Sequence, residues 1–295
     1  MESVLQLKLQ NNSKLIESLL DILLSSESLN YKTNSTDILL SAMRYSILNG
    51  GKKLRSFLIA ECAALFGFND PVVLRIGAAI ECIHCYSLIH DDLPAMDDGH
   101  IRRGKPTVHI KYDEATAILA GNSLLTYAFE ILFSPDTRLE DRIRSELALS
   151  LSRNSGMNGM LGGQIMDLKD EIPDENNIFI IQKMKTGSLM RFACEAGAII
   201  ANANQEEKTR LCRVGENLGI IFQLVDDLLD FENDLHTSKK STKNATTQKH
   251  CLIKLKGKHW IEQEIIQRTK NTIDILNHYG KKAHYLIEVT RFLSS

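Results

Sequence analysis

Ile80-Glu81-Cys82-Ile83-His84-Cys85-Tyr86-Ser87-Leu88-Ile89-His90-Asp91-Asp92-Leu93-Pro94-Ala95-Met96-Asp97-Asp98 carries an apolar segment straight into an acidic turn. Upstream, Pro71 suits the first turn of a helix that runs through Asp92. Downstream, Pro94 has no backbone N–H to donate and is expected to distort the helix end. That distortion would let Asp97 face the same site as Asp91. A calcium-loop reading fails on spacing, because Gly99 as the loop glycine would put Pro94 at position 1 and Lys105 at position 12.

The rest of the chain reads as further helices. Its five prolines all lie between Pro71 and Pro173, leaving two long proline-free stretches that favour an all-α fold. Leu15, Leu19, Leu20, Ile22 and Leu23 recur at helical spacing before a Ser25-Ser26-Glu27-Ser28 break. Asp37 to Leu48 reads as a second helix stopped by Asn49-Gly50-Gly51, and Leu54 to Phe66 as a third stopped by Gly67. Helices are also expected near 114–133, 138–152, 175–203, 206–232 and 258–293. Few segments alternate with a strand's period, and no internal repeat is evident. The stretch from His236 to Lys249, rich in Lys, Ser, Thr and Asn, reads as a loop.

The 295 residues are 43% hydrophobic and 24% charged, the balance of a folded chain with a sizeable core. Lys and Arg total 35 against 37 Asp and Glu, for a net charge of −2. A general nucleic-acid binder would be basic, so anion binding must come from a local cluster and no nucleic-acid partner is expected. Six dispersed cysteines do not form a disulfide framework, and the start of the chain lacks a basic region followed by an apolar one. A reducing, cytoplasmic setting is expected. No uninterrupted apolar run reaches the roughly 20 residues of a membrane span.

A second acidic cluster, Asp226-Asp227-Leu228-Leu229-Asp230, sets Asp226 and Asp230 on one helix face. Paired carboxylates stay ionised when a cation lies between them or water surrounds them. Oxygen-only ligands with phosphates to complete the shell suit Mg²⁺. One such cluster is commonly just a solvated acidic turn, whereas two on separate apolar helices point to metal binding. Cations answer the acids. Gly50-Gly51-Lys52-Lys53-Leu54-Arg55 places backbone N–H groups and positive charges at a helix start, a natural phosphate site. Arg102-Arg103-Gly104-Lys105 follows the first cluster, Lys185-Thr186-Gly187 lies in an otherwise apolar helix, and Lys239, Lys240 and Lys249 follow the second cluster. Each alone reads as surface charge. Together, carboxylates for Mg²⁺ and cations for phosphate describe a diphosphate pocket. His84 lies about two turns below Asp91 and within ~20° of it on the helical wheel, so it is either a packed core histidine or a ligand contact. Cys82 and Cys85 read as buried helix cysteines, because no second pair or βαβ pattern supports a redox or metal role.

The stretch from Ile80 to Asp98, followed by Arg102-Arg103-Gly104-Lys105-Pro106-Thr107, closely resembles the first aspartate-rich region of trans-isoprenyl diphosphate synthases, in the form found in bacterial farnesyl diphosphate synthases. Gly50-Gly51-Lys52-x-x-Arg55, Gly163-Gln164-x-x-Asp167, Lys185-Thr186-Gly187 and Gln223-x-x-Asp226-Asp227-x-x-Asp230 follow in the family's order. The resemblance implies one polyprenyl synthase domain over 1–295, an all-α bundle of long helices around a deep central cavity, working as a homodimer. It implies condensation of isopentenyl diphosphate with dimethylallyl or geranyl diphosphate to farnesyl diphosphate. By resemblance, Asp91, Asp97 and Asp226 bind Mg²⁺ with Asp92 and Asp230 assisting. Arg102, Lys185, Lys240 and Lys249 hold the allylic diphosphate. Gly51, Lys52, Arg55, His84 and Arg103 hold isopentenyl diphosphate. Thr186 and Gln223 flank the developing cation, making Lys185, Thr186 and Gln223 the expected catalytic residues.

Tyr86 lies about 7.5 Å down the helix from Asp91, where a bulky residue would act as a floor under the growing chain. Its ~140° offset from Asp91 leaves an ordinary core tyrosine as the alternative. An aromatic residue here is typical of farnesyl-producing members. The alternatives to farnesyl diphosphate synthesis are a geranylgeranyl diphosphate synthase, a catalytically weak partner subunit that binds prenyl diphosphates, and a terpene cyclase. Retention of both aspartate clusters argues against the weak subunit. The Gly50–Arg55 motif and Arg103, which form a second diphosphate site, argue against the cyclase. The chain departs from the family at Gly99-His100, at Cys251, in the 239–249 loop and in ending without a basic tail.

Overall fold

A computed structural model describes residues 3–29, 36–169, 175–236 and 252–295. Contacts divide the chain into two compact units, Met1–Ala60 with Asn69–Ala148 and Glu61–Phe68 with Leu149–Ser295. The fold is all-α, as expected, apart from one short ribbon.

The first unit is built on α1 (Val4–Leu23), α2 (Asp37–Ile47), the start of α3 (Leu54–Leu65), α4 (Val72–Asp91), α5 (Val108–Lys111), α6 (Glu114–Phe133) and the start of α7 (Asp141–Ser155). Local chemistry fixes the helix starts. Ser3 and Gln6 form a reciprocal capping box on α1. The Asp70 carboxylate accepts from the Val72 N–H as α4 begins behind Pro71. Asp113 caps α6 by accepting from both the N–H and the hydroxyl of Thr116. α4 packs along α6, α1 crosses α4, and α2 lies against both α4 and α6. Ile16, Leu20, Phe57, Ile76, Ile80 and Ile83 are fully enclosed. α4 and α6 are long and apolar enough by composition to cross a membrane, although polar residues interrupt the apolar run of each. They bury 67% and 44% of their most apolar stretches within the fold.

The second unit holds the end of α3 and of α7, then α8 (Met160–Lys169), α9 (Glu175–Gln182), α10 (Ser188–Ile200), α11 (Gln205–His236), α12 (Leu252–Lys256), α13 (Lys258–Leu276) and α14 (His284–Leu293). α11 is its spine, packed on α10 and α13. Ile178, Ile220, Leu224, Leu252, Ile253, Ile261 and Ile265 form a cluster joining α9, α11, α12 and α13.

Several elements differ from the sequence expectation. The single helix expected over 175–203 is split by a π-helical turn, Lys183–Gly187. α8 occupies a stretch for which no helix was expected, and it carries two adjacent glycines, Gly162 and Gly163, of low helix propensity. The helix expected over 258–293 is interrupted by a 3₁₀ segment, Asn277–Ala283, where Gly280 turns to φ 57°. Two-residue strands β1 (Ile101–Arg102) and β2 (Lys105–Pro106) pair antiparallel around Arg103 and Gly104. α12 occupies a stretch for which no helix was expected; of the loop expected from His236 to Lys249, His236 ends α11 and the rest lies outside the described residues.

Candidate active site

The first carboxylate cluster forms where α4 ends. After Asp92, the chain turns through Leu93 and Pro94 and folds back, so that the Asp97 N–H donates to the Asp91 carbonyl at 2.9 Å. The Asp98 N–H reaches Leu93 and the Gly99 N–H reaches Asp92 in the same turn. The orphan carbonyls at the helix end are thus satisfied locally. Asp91 and Asp97 are brought together and remain half-buried, as the Pro94 argument required.

Asp92 has a different position. Its carboxylate is buried and takes both oxygens to the Arg102 fork, with Nε and Nη2 each at 2.8 Å. β1 carries Arg102 back to this point, and Thr107 closes the ribbon by donating its hydroxyl to Gly99 and its N–H to His100. Burial lowers the Arg102 pKa, but the bond and charge of Asp92, with Asp91 and Asp97 behind, outweigh that and hold it above the usual arginine value. Asp92 therefore orients a cation.

The second feature of this unit is a recess lined by Lys53, Glu81, His84, Cys85, Arg102 and Arg103, among others. The Gly50-Gly51-Lys52-Lys53 turn shapes one side. Gly51 has φ +102°, and a Cβ there would lie 2.8 Å from the Arg103 guanidinium carbon. The positive φ calls for glycine, and the guanidinium lies where a side chain would begin. Arg103 donates to the Gly50 carbonyl at 2.6 Å and lies across the turn. α1 braces the turn from behind, with Ser13 donating to Gly51 and Asn12 donating to Lys53 and Ser56.

The two adjacent lysines take opposite roles. Lys52 is exposed at the turn, whereas Lys53 is buried and donates to the Ile47 carbonyl at the end of α2. Arg55 is half-buried, and burial lowers its pKa, opposed by Glu81 and assisted by Arg103. His84 is held well below the ordinary histidine value by burial first, then by Arg55, Arg103, Lys53 and Arg102. It is a neutral imidazole among cations. Glu81, one turn below His84, went unassigned in the sequence reading. It is buried with Oε1 lacking a hydrogen bond and is the negative charge that faces Arg55.

Cys82 and Cys85 are buried thiols, as expected, and all five cysteines among the described residues are free. Tyr86 is enclosed on α4 with its hydroxyl lacking a hydrogen-bond partner, and burial, then Asp91, pushes its pKa up to about 12.

In the second unit, the π-helical turn presents Lys185 and Thr186. Lys185 Nζ donates to Asp167 of α8 at 2.7 Å. Gly163 explains the Gly163-Gln164-x-x-Asp167 motif, because a Cβ there would lie 2.3 Å from the Lys185 backbone nitrogen. α8 can approach the turn closely only through glycine. α11 does the same from another side, with Gly219 against Gly187. Gln223 lies one helical turn after Gly219, which places it on the side of α11 that meets the Lys185-Thr186 turn.

Asp226 and Asp230 are exposed along α11, at i and i+4. Asp227 turns inward and accepts from Gln182 at 3.3 Å. Burial pushes its pKa up to about 7, opposed by the Leu252 N–H and reinforced by Asp226 and Asp230. Lys240 and Lys249 lie outside the described residues.

Among the described residues no three His, Cys, Asp or Glu side chains converge as a cage for a metal ion. Asp91 and Asp97 in the first unit, and Asp226 and Asp230 in the second, are oxygen donors of the kind that hold a divalent cation through one or two carboxylates together with phosphates and water.

The polyprenyl synthetase family matches residues 36–285. The farnesyl diphosphate synthase of Micrococcus luteus is 40% identical over 238 residues, covering 80% of this chain and 81% of the relative. That of Escherichia coli K12 is 44% identical over 203 residues, covering 67% and 68%. The apo structure of an FPP/GFPP synthase from Zymomonas mobilis superposes with a TM-score of 0.88 at 35% identity, covering 99% of each chain. A chain with both carboxylate clusters, the glycine-flanked cations and a family match over most of its length belongs to the polyprenyl synthetase family.

Proposed function

We propose that this chain, acting as one catalytic domain, condenses isopentenyl diphosphate with dimethylallyl and then geranyl diphosphate and releases farnesyl diphosphate. The observation that carries this reading is that, besides the carboxylates, the first unit holds a recess in which Lys53, His84 and Arg103 extend from Arg102 toward the Gly50-Gly51 turn, enough cation for a second diphosphate. A single-diphosphate enzyme has no use for that second anion site. The relatives named farnesyl diphosphate synthase support the same reaction and product.

The reaction breaks the C1–O bond of the allylic diphosphate, and diphosphate leaves with the electron pair. The double bond of isopentenyl diphosphate attacks the resulting cation, forming a carbon–carbon bond. A proton is then lost to the departed diphosphate. Asp91, Asp97, Asp226 and Asp230 would hold Mg²⁺. When bound, it neutralises charge on the leaving diphosphate.

Arg102, aimed by Asp92, and Lys185, steadied by Asp167, hold the allylic diphosphate. Lys52, Arg55, Arg103 and neutral His84 hold isopentenyl diphosphate. Thr186 and Gln223 present oxygen dipoles to the cation without trapping it as a strong nucleophile would. Lys240 and Lys249 are proposed to add charge over the allylic diphosphate. Tyr86 forms the floor that stops growth at fifteen carbons.

The exposed apolar residues Ile118, Leu119 and Phe133 on α6 support association with a second copy of the chain. Free cysteines support a reducing, cytoplasmic location. The test is turnover of the purified chain with and without excess EDTA, and of Asp91→Ala and Asp226→Ala. Loss of one electrostatic contact costs ~10²–10³ in rate. Activity that survives EDTA, or wild-type turnover in both variants, would overturn the assignment.

A further inference from the structure

α6 carries a glycine in mid-helix, at Gly121. Glycine there costs roughly 1 kcal/mol relative to alanine, so its presence needs a reason. The reason is His90. A Cβ at position 121 would lie 2.2 Å from His90 Nε2, 2.5 Å from Cδ2 and 3.0 Å from Cε1. The ring tip of His90 occupies the space that a side chain would fill. Its Nε2–H donates to the Ile118 carbonyl of α6 at 3.1 Å.

The ring also meets Tyr86. The two rings sit edge to face, with centroids 5.7 Å apart and planes 77° apart. Tyr86 and His90 are one turn apart on α4, so they share a face, and that face meets α6. Tyr86 has no hydrogen bond on its hydroxyl to fix it, so packing positions the ring, and the His90 contact is part of that packing.

We infer that Gly121 is a specificity-determining residue for chain length: by leaving room for His90 against α6, it sets the position of Tyr86 and hence the depth available to the growing prenyl chain. The inference rests on the reading of Tyr86 as the floor. A methyl group at 121 drives His90 off the Ile118 carbonyl and toward Tyr86. That narrows the space beneath Asp91 and favours early release of the C10 intermediate. Removing the His90 ring takes away the support on which Tyr86 leans and favours longer products.

The experiment is chromatography of products from the full chain and its Gly121→Ala, His90→Ala, Tyr86→Ala and His90→Ala/Gly121→Ala variants at equal substrate ratios, with a thermal melt of each. An ångström-scale displacement in an active site can cost ~10²-fold. Gly121→Ala is therefore expected to raise the C10 to C15 ratio by about tenfold or more, and His90→Ala to shift product toward C20. The double variant should match His90→Ala, because the added methyl then has no ring to strike. If Gly121→Ala does not fold, recovery of folding in the double variant together with the His90→Ala product pattern supports the inference, and no recovery overturns it. A wild-type product pattern in Gly121→Ala, or a shift that persists when the His90 ring is gone, also overturns it. Tyr86→Ala separates the two readings. Longer products from that variant with no effect at Gly121 refute the inference alone, while unchanged C15 refutes the floor itself.

Discussion

Replacing Asp92 should damage the enzyme through Arg102 rather than through the metal. The Asp92 carboxylate accepts two bonds of 2.8 Å from the Arg102 fork, and its side chain is 7% exposed against 37% for Arg102. Breaking a fully buried ion pair by deleting one partner costs about 3–5 kcal/mol. Arg102 is partly solvated, so screening pulls the figure down toward the ~1.5–3 kcal/mol of a charged hydrogen bond. Asp92→Asn keeps one acceptor oxygen and should sit at the low end, about tenfold in the KM for the allylic diphosphate. Asp92→Ala should approach ~100-fold. The assay is steady-state kinetics with the allylic substrate varied at saturating isopentenyl diphosphate, and with Mg²⁺ varied separately. A double-mutant cycle with Arg102→Gln assigns the route. If Asp92 acts by aiming Arg102, adding Asp92→Asn to Arg102→Gln brings no further rise in KM. A large further loss in that background, together with a weakened Mg²⁺ response, would show that Asp92 serves the metal and refute the reasoning.

Lys52→Ala and Arg55→Ala should each raise the KM for isopentenyl diphosphate by ~10–100-fold, whereas Lys185→Ala should mainly slow ionisation of the allylic substrate; the same substrate specificity of loss in all three would contradict the division of labour. Gly163→Ala should lower stability by at least the ~1–3 kcal/mol typical of overpacking, since its Cβ would meet the Lys185 backbone at 2.3 Å, and a urea melt identical to wild type would rule out the close approach. His84 is neutral in the fold and titrates normally, near 6.5, when unfolded. The unfolded chain therefore binds the proton first, and stability falls as pH drops below 6.5. Urea midpoints at pH 7.5 and pH 5.5 should fall less for His84→Asn than for wild type, and equal falls would mean that His84 does not contribute.

Much of the site was legible because its residues are close in sequence. Pro94 announces the turn that joins Asp97 to Asp91, and a helical period of 3.6 places Asp226 and Asp230 together. What was hidden depends on distant chain segments. Nothing local distinguishes Lys52 from Lys53, yet the positive φ of Lys53 and the end of α2 turn one lysine inward. Asp92 reads like its neighbour Asp91 until β1 returns Arg102 to it. α8 contains two glycines of low helix propensity, and tertiary packing is what requires Gly163, whose Cβ would meet the Lys185 backbone in the π-helical turn. Gly280 and the π-helical turn break helices whose apolar spacing continues across the break. The charge of Glu81 was invisible within an apolar helix until Arg55 was placed opposite it.

The central claim is that this chain elongates prenyl diphosphates to C15. It is tested most directly by incubating the purified protein with labelled isopentenyl diphosphate, dimethylallyl diphosphate and Mg²⁺, then dephosphorylating the products and resolving them by chromatography. The account predicts label in farnesol as the main product and none when Mg²⁺ is chelated. Label confined to unreacted isopentenyl diphosphate, or a main product of C20 or longer, would contradict it.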